Sequence, residues 1–217
     1  MNGSGKNVDL LLKNFANRTR LMILTLIIKN GPMTVTQLSK IIKTSRSNLY
    51  QIIKDMLSDG VITQVKTETN RNYVEKYYYI NEDLFASVGS EDLKNALMVM
   101  DDEDLRNLMV SFLATASAIF SIMAEQVAMA TPGEMNIYRE EIRDDLIIMS
   151  FSSLSRETMA KYAEMNESFL KEVEDSSNHS REDHFLYVVG FPSTSRLNLF
   201  RNDDSNNGKQ NKNAEKR

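Results

Sequence analysis

Two short helical patterns separated by a polar break occupy residues 34–62, TVTQLSKIIKTSRSNLYQIIKDMLSDGVI. In the first pattern Thr34 precedes Gln37 by three residues, which is the spacing of a capping box at the start of a helix. Apolar residues then recur at helical spacing, namely Val35, Leu38, Ile41 and Ile42. The first pattern therefore predicts a short helix with one buried face.

The second pattern, residues 45–60, is the longer of the two. Its apolar residues Leu49, Ile53 and Met56 recur at i, i+4 and i+7, as expected for a helix that buries one face. Gly60 can adopt the left-handed conformation in which many helices end. Together the two patterns predict a helix, a tight turn and a second helix.

The flanking residues extend this arrangement in both directions. Upstream, residues 8–29 carry apolar clusters at helical spacing and end at Asn30-Gly31-Pro32, where a helix cannot continue. Downstream of Gly60, residues 61–68 and 73–80 are rich in β-branched and aromatic residues and flank a polar loop. The predicted order of helix, helix, turn, helix and β-hairpin is that of a winged helix-turn-helix.

This arrangement resembles the winged helix-turn-helix of ArsR-like transcription regulators, particularly archaeal ones. The resemblance covers about residues 8–80, and its marks are NRTRLMIL at 17–24, the core at 34–62 and EKYYYI at 75–80. It implies a DNA-binding regulator. Metal-sensing members of that family commonly use clustered cysteines, whereas this chain has none, which excludes a thiolate sensor of soft metals.

The predicted recognition helix, about residues 45–59, would enter the major groove of DNA, and the wing, about residues 66–76, would lie on the backbone or in the minor groove. Gln51 can bridge adenine N6 and N7, and Arg46 can bridge guanine O6 and N7. Serine, tyrosine and lysine more often contact phosphate, and Arg71 is the candidate for the minor groove. The candidate DNA-binding residues are Thr44, Ser45, Arg46, Ser47, Tyr50, Gln51, Lys54, Lys66, Arg71 and Lys76.

Charge is distributed unevenly along the chain. Residues 1–80 carry twelve Lys/Arg against five Asp/Glu, a net charge of +7, whereas residues 81–217 carry fourteen against twenty-five, a net charge of −11. The basic part can bind phosphate and the acidic part should avoid it. The overall net charge of −4 therefore does not argue against a DNA partner.

The chain after residue 81 is predicted to be helical. Four acids at 101–104 favour a helix N-terminus, and that helix is expected to end near Ala130, before Thr131-Pro132-Gly133. Other predicted segments are a helical region over about 134–175, interrupted near 150–157, and a strand at 184–191. The predicted fold is mainly α with a small β-hairpin wing: a winged helix-turn-helix domain (7–80), a helical dimerisation and possible sensor domain (81–200), and a disordered tail (201–217).

The helix around residues 107–124 has an uncharged run close to the length of a membrane span. Its polar residues fall in one arc of a helical wheel, namely Asn107, Ser111, Thr115, Ser117, Ser121 and Glu125. A helix surrounded by lipid has no reason to segregate them, so an amphipathic helix is expected instead. A near-heptad seam predicts a homodimer interface of Leu105, Met109, Phe112, Ala116, Ile119 and Met123, although packing on the helix at 134–175 would explain the same stripe.

Other functional classes find little support in the sequence. Two histidines, His179 and His184, lie near acids but in a polar stretch, so no metal site and no cofactor are predicted. No phosphate-binding glycine loop and no nucleophile–base spacing indicate an enzyme. We expect a cytoplasmic, homodimeric, sequence-specific regulator of double-stranded DNA, with a small-molecule or protein effector left open. The alternative is a winged-helix protein-interaction module, or a basal transcription or chromatin factor with weak sequence preference.

Overall fold

The computed structural model describes residues 3–70, 73–147, 152–175 and 188. The chain divides into two compact units, Met1–Glu140 and Glu141–Arg217. The helices are α1 (Gly3–Phe15), α2 (Arg18–Asn30), α3 (Val35–Ile41), α4 (Arg46–Asp59), α5 (Glu82–Ala86), α6 (Ser90–Val99), α7 (Asp102–Ala128), α8 (Pro132–Arg143) and α9 (Arg156–Asp175). The strands are β1 (Met33–Thr34), β2 (Ile62–Asn70) and β3 (Tyr73–Ile80).

The predicted fold class is confirmed: a mostly helical chain with a small antiparallel sheet, in which a winged helix-turn-helix precedes a long helix. The long helix, α7, ends at Ala128, close to the predicted residue 130. The strand predicted at 184–191 and the tail predicted at 201–217 lie outside the described residues, apart from Val188. The proposed domain boundary at residue 80 stays a prediction.

One helix predicted over residues 8–29 is in fact two helices, and this prediction was wrong. Asn17 begins α2, because its side-chain oxygen accepts hydrogen bonds from the backbone N–H groups of Thr19 and Arg20, both at 3.1 Å. An N-cap of this kind satisfies the free donors of a new helix and stops the preceding one. The chain turns at this point, so that α1 and α2 pack against each other.

The helix-turn-helix forms as the sequence predicts. Thr34 Oγ1 accepts from the backbone N–H of Gln37 at 3.1 Å, while the Gln37 side chain accepts from the Thr34 N–H at 2.8 Å, which completes the capping box. Gly60 ends α4 in the left-handed conformation, with φ at 76°. The core between α2, α3, α4 and the sheet consists of fully buried side chains, among them Ile23, Leu24, Ile27, Leu38, Leu49, Ile53, Met56 and Ile62.

The sheet has the antiparallel strand order β1-β3-β2. The two-residue strand β1 was not predicted, because two residues are too few to show the alternation of apolar and polar residues that is typical of a strand. In the hairpin the register changes between Gln64 and Lys66, so that Gln64 pairs with Tyr78 and Lys66 with Tyr77. Tyr78 is buried, because this face of β3 packs against the helices. Because of this bulge, Gln64 lies on the face of the hairpin that contains Tyr78, whereas Lys66 lies on the opposite face, with Tyr77.

Helix α7 packs against α2 and α1 inside the first unit. Its buried residues include two from the polar arc: Thr115, and Ser111, whose Oγ donates to the Ala16 carbonyl at 2.7 Å. Much of its apolar face is exposed, namely Met109, Val110, Phe112, Leu113, Phe120, Met123 and Val127. The buried side of α7 thus includes part of the polar arc, because α1 and α2 cover that side of the helix.

Among the described helices, α7 is the one that is sufficiently long and apolar to cross a membrane. By length and composition it passes the same test as the core helix of many globular proteins. Leu108, Ala116 and Ile119 pack against the unit that contains the winged helix. This packing explains part of the apolar character of α7 without a lipid environment.

Candidate DNA-binding surface

The first turn of α4 is organised by hydroxyl side chains. Ser45 is the N-cap and accepts from the backbone N–H of Asn48 at 3.2 Å. The Asn48 side-chain amide donates to Thr44 Oγ1 at 3.0 Å, and the hydroxyls of Ser45 and Ser47 are 3.2 Å apart. Thr44 and Ser45, both predicted to contact DNA, therefore also position the N-terminus of the recognition helix, where backbone N–H groups favour a phosphate.

The outward face of α4 contains the other candidate residues in this helix. Leu49, Ile53 and Met56 are buried, as predicted. The candidates Arg46, Ser47, Tyr50, Gln51 and Lys54 are all exposed, as are Asn48 and Ser58. The structure therefore places all five candidates on one solvent-facing surface, next to the cap.

Gln51 does not project freely from this surface. Its Nε2 donates to Asp55 Oδ1 at 2.7 Å, one turn further along α4. An amide has two N–H donors and a carbonyl acceptor, so one donor and the acceptor remain for an adenine edge. Asp55 therefore orients the residue predicted to read adenine.

Arg20 connects three helices at the C-terminal end of α4, and sequence reasoning did not identify this role. Its Nη1 donates to Asp59 Oδ2 at 2.6 Å and to Asn14 Oδ1 at 2.9 Å. The Arg20 and Asp59 side chains are only 15% and 21% exposed. Lys13 lies 3.7 Å from the same carboxylate but is 65% exposed. Arg20 and Asp59 are 39 residues apart, so no local pattern reveals the pair.

Replacing Arg20 by Met is expected to lower the free energy of unfolding by about 2–3 kcal/mol, since Asp59 and Asn14 lose a charged donor in a largely buried place. Lys13→Met is the matched control, and it should lower the same quantity by less than about 1 kcal/mol because Lys13 is exposed. Urea denaturation followed by circular dichroism measures both. Equal effects of the two changes would show that Arg20 does not hold α4 in place.

The two cations of the wing that the structure describes do not lie together. Lys66 pairs with Glu68, lies 5.4 Å from the centroid of the Tyr77 ring, and is on the strand face of Tyr77. Lys76 is exposed and belongs to the face of its strand that also contains Tyr78. Arg71 lies outside the described residues. Because of the bulge, Lys66 and Lys76 are on opposite faces of the hairpin, so they cannot both contact one stretch of backbone from the same face.

The pair on the wing changes the titration of both partners. The hydrogen bond from Lys66, followed by that from the Tyr77 hydroxyl at 2.9 Å, lowers the pKa of Glu68. The same hydrogen bond raises the pKa of Lys66. The ion pair is therefore kept at neutral pH and is lost as the pH falls through the lowered pKa of Glu68. In the neutral range Lys66 can contact a phosphate only in competition with Glu68.

Glu68→Gln should release Lys66 and tighten binding to every duplex. We expect the slope of log affinity against log salt to become steeper by about one unit, the contribution of one additional phosphate contact. Glu75→Gln is the matched control, because Glu75 pairs with Glu68 across the strands and the change removes the same charge without breaking the Lys66–Glu68 pair. Equal salt slopes for the two variants would show that Lys66 does not contact DNA.

The described residues contain no group of three or more His, Asp or Glu side chains that could hold a metal ion. His179 and His184 lie outside the described residues. The expectation that the protein has no metal site and no cofactor therefore stays a prediction.

Comparisons with known proteins bear on this surface. A family model for winged helix-turn-helix DNA-binding domains matches residues 17–63. No curated protein matches the sequence. Among solved structures, the chain is similar to one described as the heme sensor protein PefR in complex with heme and carbon monoxide: 15% identity, covering 70% of this chain and 88% of that chain, with a TM-score of 0.27. The family match runs from the N-cap of α2 into β2, so residues 17–63 form a winged helix-turn-helix DNA-binding domain.

Proposed function

We propose that the protein is a homodimeric, sequence-specific transcription regulator of the ArsR-like kind, without catalytic activity and located in the cytoplasm. The observation that carries this proposal is the α4 surface within the matched DNA-binding domain. Arg46 and Gln51, which have the chemistry to read guanine and adenine, are both exposed there beside a capped helix N-terminus. Two cations, Arg46 and Lys54, lie on this surface.

An exposed apolar stripe on α7 supports the dimer. Of the six residues predicted to form the interface, Met109, Phe112 and Met123 are exposed and Leu105 is half-buried, but Ala116 and Ile119 are buried within the unit. Leu113, Phe120 and Val127 extend the exposed part and were not predicted. Exposed apolar patches of this kind mark protein interfaces, and a second copy would supply the second recognition helix that a two-fold operator needs.

The alternative is a winged-helix protein-interaction module or a weakly specific chromatin factor. A binding assay with competitor DNA across a salt series separates the two. Specific base contacts keep a selected duplex bound in the presence of random competitor, whereas purely electrostatic binding is lost as salt rises. Loss of discrimination between duplexes at all salt concentrations would favour the alternative.

A further inference from the structure

A groove of about 880 Å³ lies between the first turns of α2, the end of α3 with the turn that follows it, and the middle of α7. Its volume is within the range of about 300–1,000 Å³ that is usual for sites of small organic ligands. Apolar side chains contribute to its wall, among them Met22, Ile41, Ile42 and Ile122. All of its lining residues belong to the first unit.

Thr115 of α7 lines this groove and has a hydroxyl that packing does not explain. The residue is 1% exposed, and its Oγ1 is buried without a hydrogen-bond partner among the described residues. One turn earlier, Ser111 Oγ has the Ala16 carbonyl as its acceptor. A valine has the shape of threonine and would fill the same space without leaving a hydroxyl unsatisfied. Within the described part of the chain, the hydroxyl is therefore an unsatisfied polar group of a residue that lines the groove.

The charges on the groove favour an anion. Arg18, Lys40 and Lys43 line it, and none of the three has an ion pair within the part of the chain that the structure describes. Glu125 is the acidic residue among the lining residues. Three cations against one carboxylate, next to apolar wall residues, are complementary to an organic anion that has an apolar body.

We propose that this groove binds a small organic carboxylate with an apolar body, whose carboxylate lies among Arg18, Lys40 and Lys43 and whose binding satisfies the Thr115 hydroxyl. The wall at Ile42, Lys43 and Thr44 is the turn that leads into α4. A ligand in the groove therefore contacts both α7 and the turn that positions the recognition helix. The proposal that the groove regulates DNA binding rests on the proposed function. The proposal that it binds a carboxylate does not.

Isothermal titration calorimetry of the full chain without DNA tests the binding site. The probes are 4-phenylbutyrate, decanoate and indole-3-acetate, with 4-phenylbutanol as the neutral control. We expect at least one carboxylate to bind, and Lys40→Gln/Lys43→Gln to weaken it about tenfold, as expected when hydrogen bonds to a charged group are lost. Lys6→Gln/Lys94→Gln removes two exposed lysines outside the groove and should leave the affinity unchanged.

Thr115→Val separates ligand binding from folding. We expect it to weaken the carboxylate about fivefold, the effect of one hydrogen bond, while the melting temperature of the free protein stays the same or rises. Three results would overturn the site: no binding of any of the three carboxylates, equally tight binding of 4-phenylbutanol, or unchanged affinity in both groove variants.

DNA binding is measured separately, first without and then with the bound carboxylate. A change in duplex affinity that Lys40→Gln/Lys43→Gln and Thr115→Val both reduce supports the regulatory role. Carboxylate binding with unchanged duplex affinity would overturn that role. A protein that binds the carboxylate but no specific duplex would refute the proposed function and leave the binding site standing.

Discussion

Ile119→Glu is expected to unfold the first unit rather than only to dissociate a dimer. Ile119 is 1% exposed and lies with Leu26 and Ile41 around a small cavity of about 30 Å³ between α7 and the helix-turn-helix. A carboxylate there is removed from water, and the lost packing and desolvation together should lower the free energy of unfolding by about 4 kcal/mol or more. Urea denaturation followed by circular dichroism measures this quantity.

Ile119→Val provides the conservative control for this experiment. It removes one methylene and should lower the free energy of unfolding by only about 0.5–1.5 kcal/mol. A folded Ile119→Glu protein with the stability of the wild type would contradict the packing of α7 on α2.

Leu113→Glu is expected to have the opposite pattern: a folded protein that no longer dimerises. Leu113 is 41% exposed on the apolar stripe of α7, so a carboxylate there keeps its water in the monomer but would be buried in the dimer. Loss of the second recognition helix should weaken operator binding about 100-fold, since the two copies bind with an effective concentration. Light scattering and operator titration measure the two effects.

Asn107→Glu is the control for Leu113→Glu, because Asn107 is exposed on the same helix but outside the apolar stripe. It should remain dimeric. A monomeric wild-type protein, or a dimeric Leu113→Glu protein, would show that α7 has another purpose.

Local patterns were sufficient to predict the helix-turn-helix. The capping box of Thr34 and Gln37 and the spacing of Leu49, Ile53 and Met56 each act within one or two turns, and the structure contains them as predicted. Asn17 was overlooked as an N-cap because apolar residues continue on both sides of it. Asparagine is one of the residue types preferred at an N-cap, and this preference was the local indication of a helix start at Asn17.

Long-range contacts could not be predicted in the same way. The Arg20–Asp59 pair joins residues that are far apart in sequence, and the bulge after Gln64 depends on how β2 meets β3. A helical wheel of α7 shows that its apolar face is wide, but not which part of that face α2 covers. For this reason the predicted seam included Ala116 and Ile119, which are buried within the unit, and omitted Leu113.

The exposed face of α4 is expected to select a DNA sequence. Selection of bound duplexes from a random pool, followed by titration of the selected duplex against random duplex, tests it most directly with the wild type, Arg46→Ala and Gln51→Ala. We predict that the wild type enriches a defined sequence and that each variant lowers the preference for it by about 1–3 kcal/mol, with little change in binding to random duplex. No enriched sequence, or wild-type preference in both variants, would show that this face of α4 does not read DNA sequence.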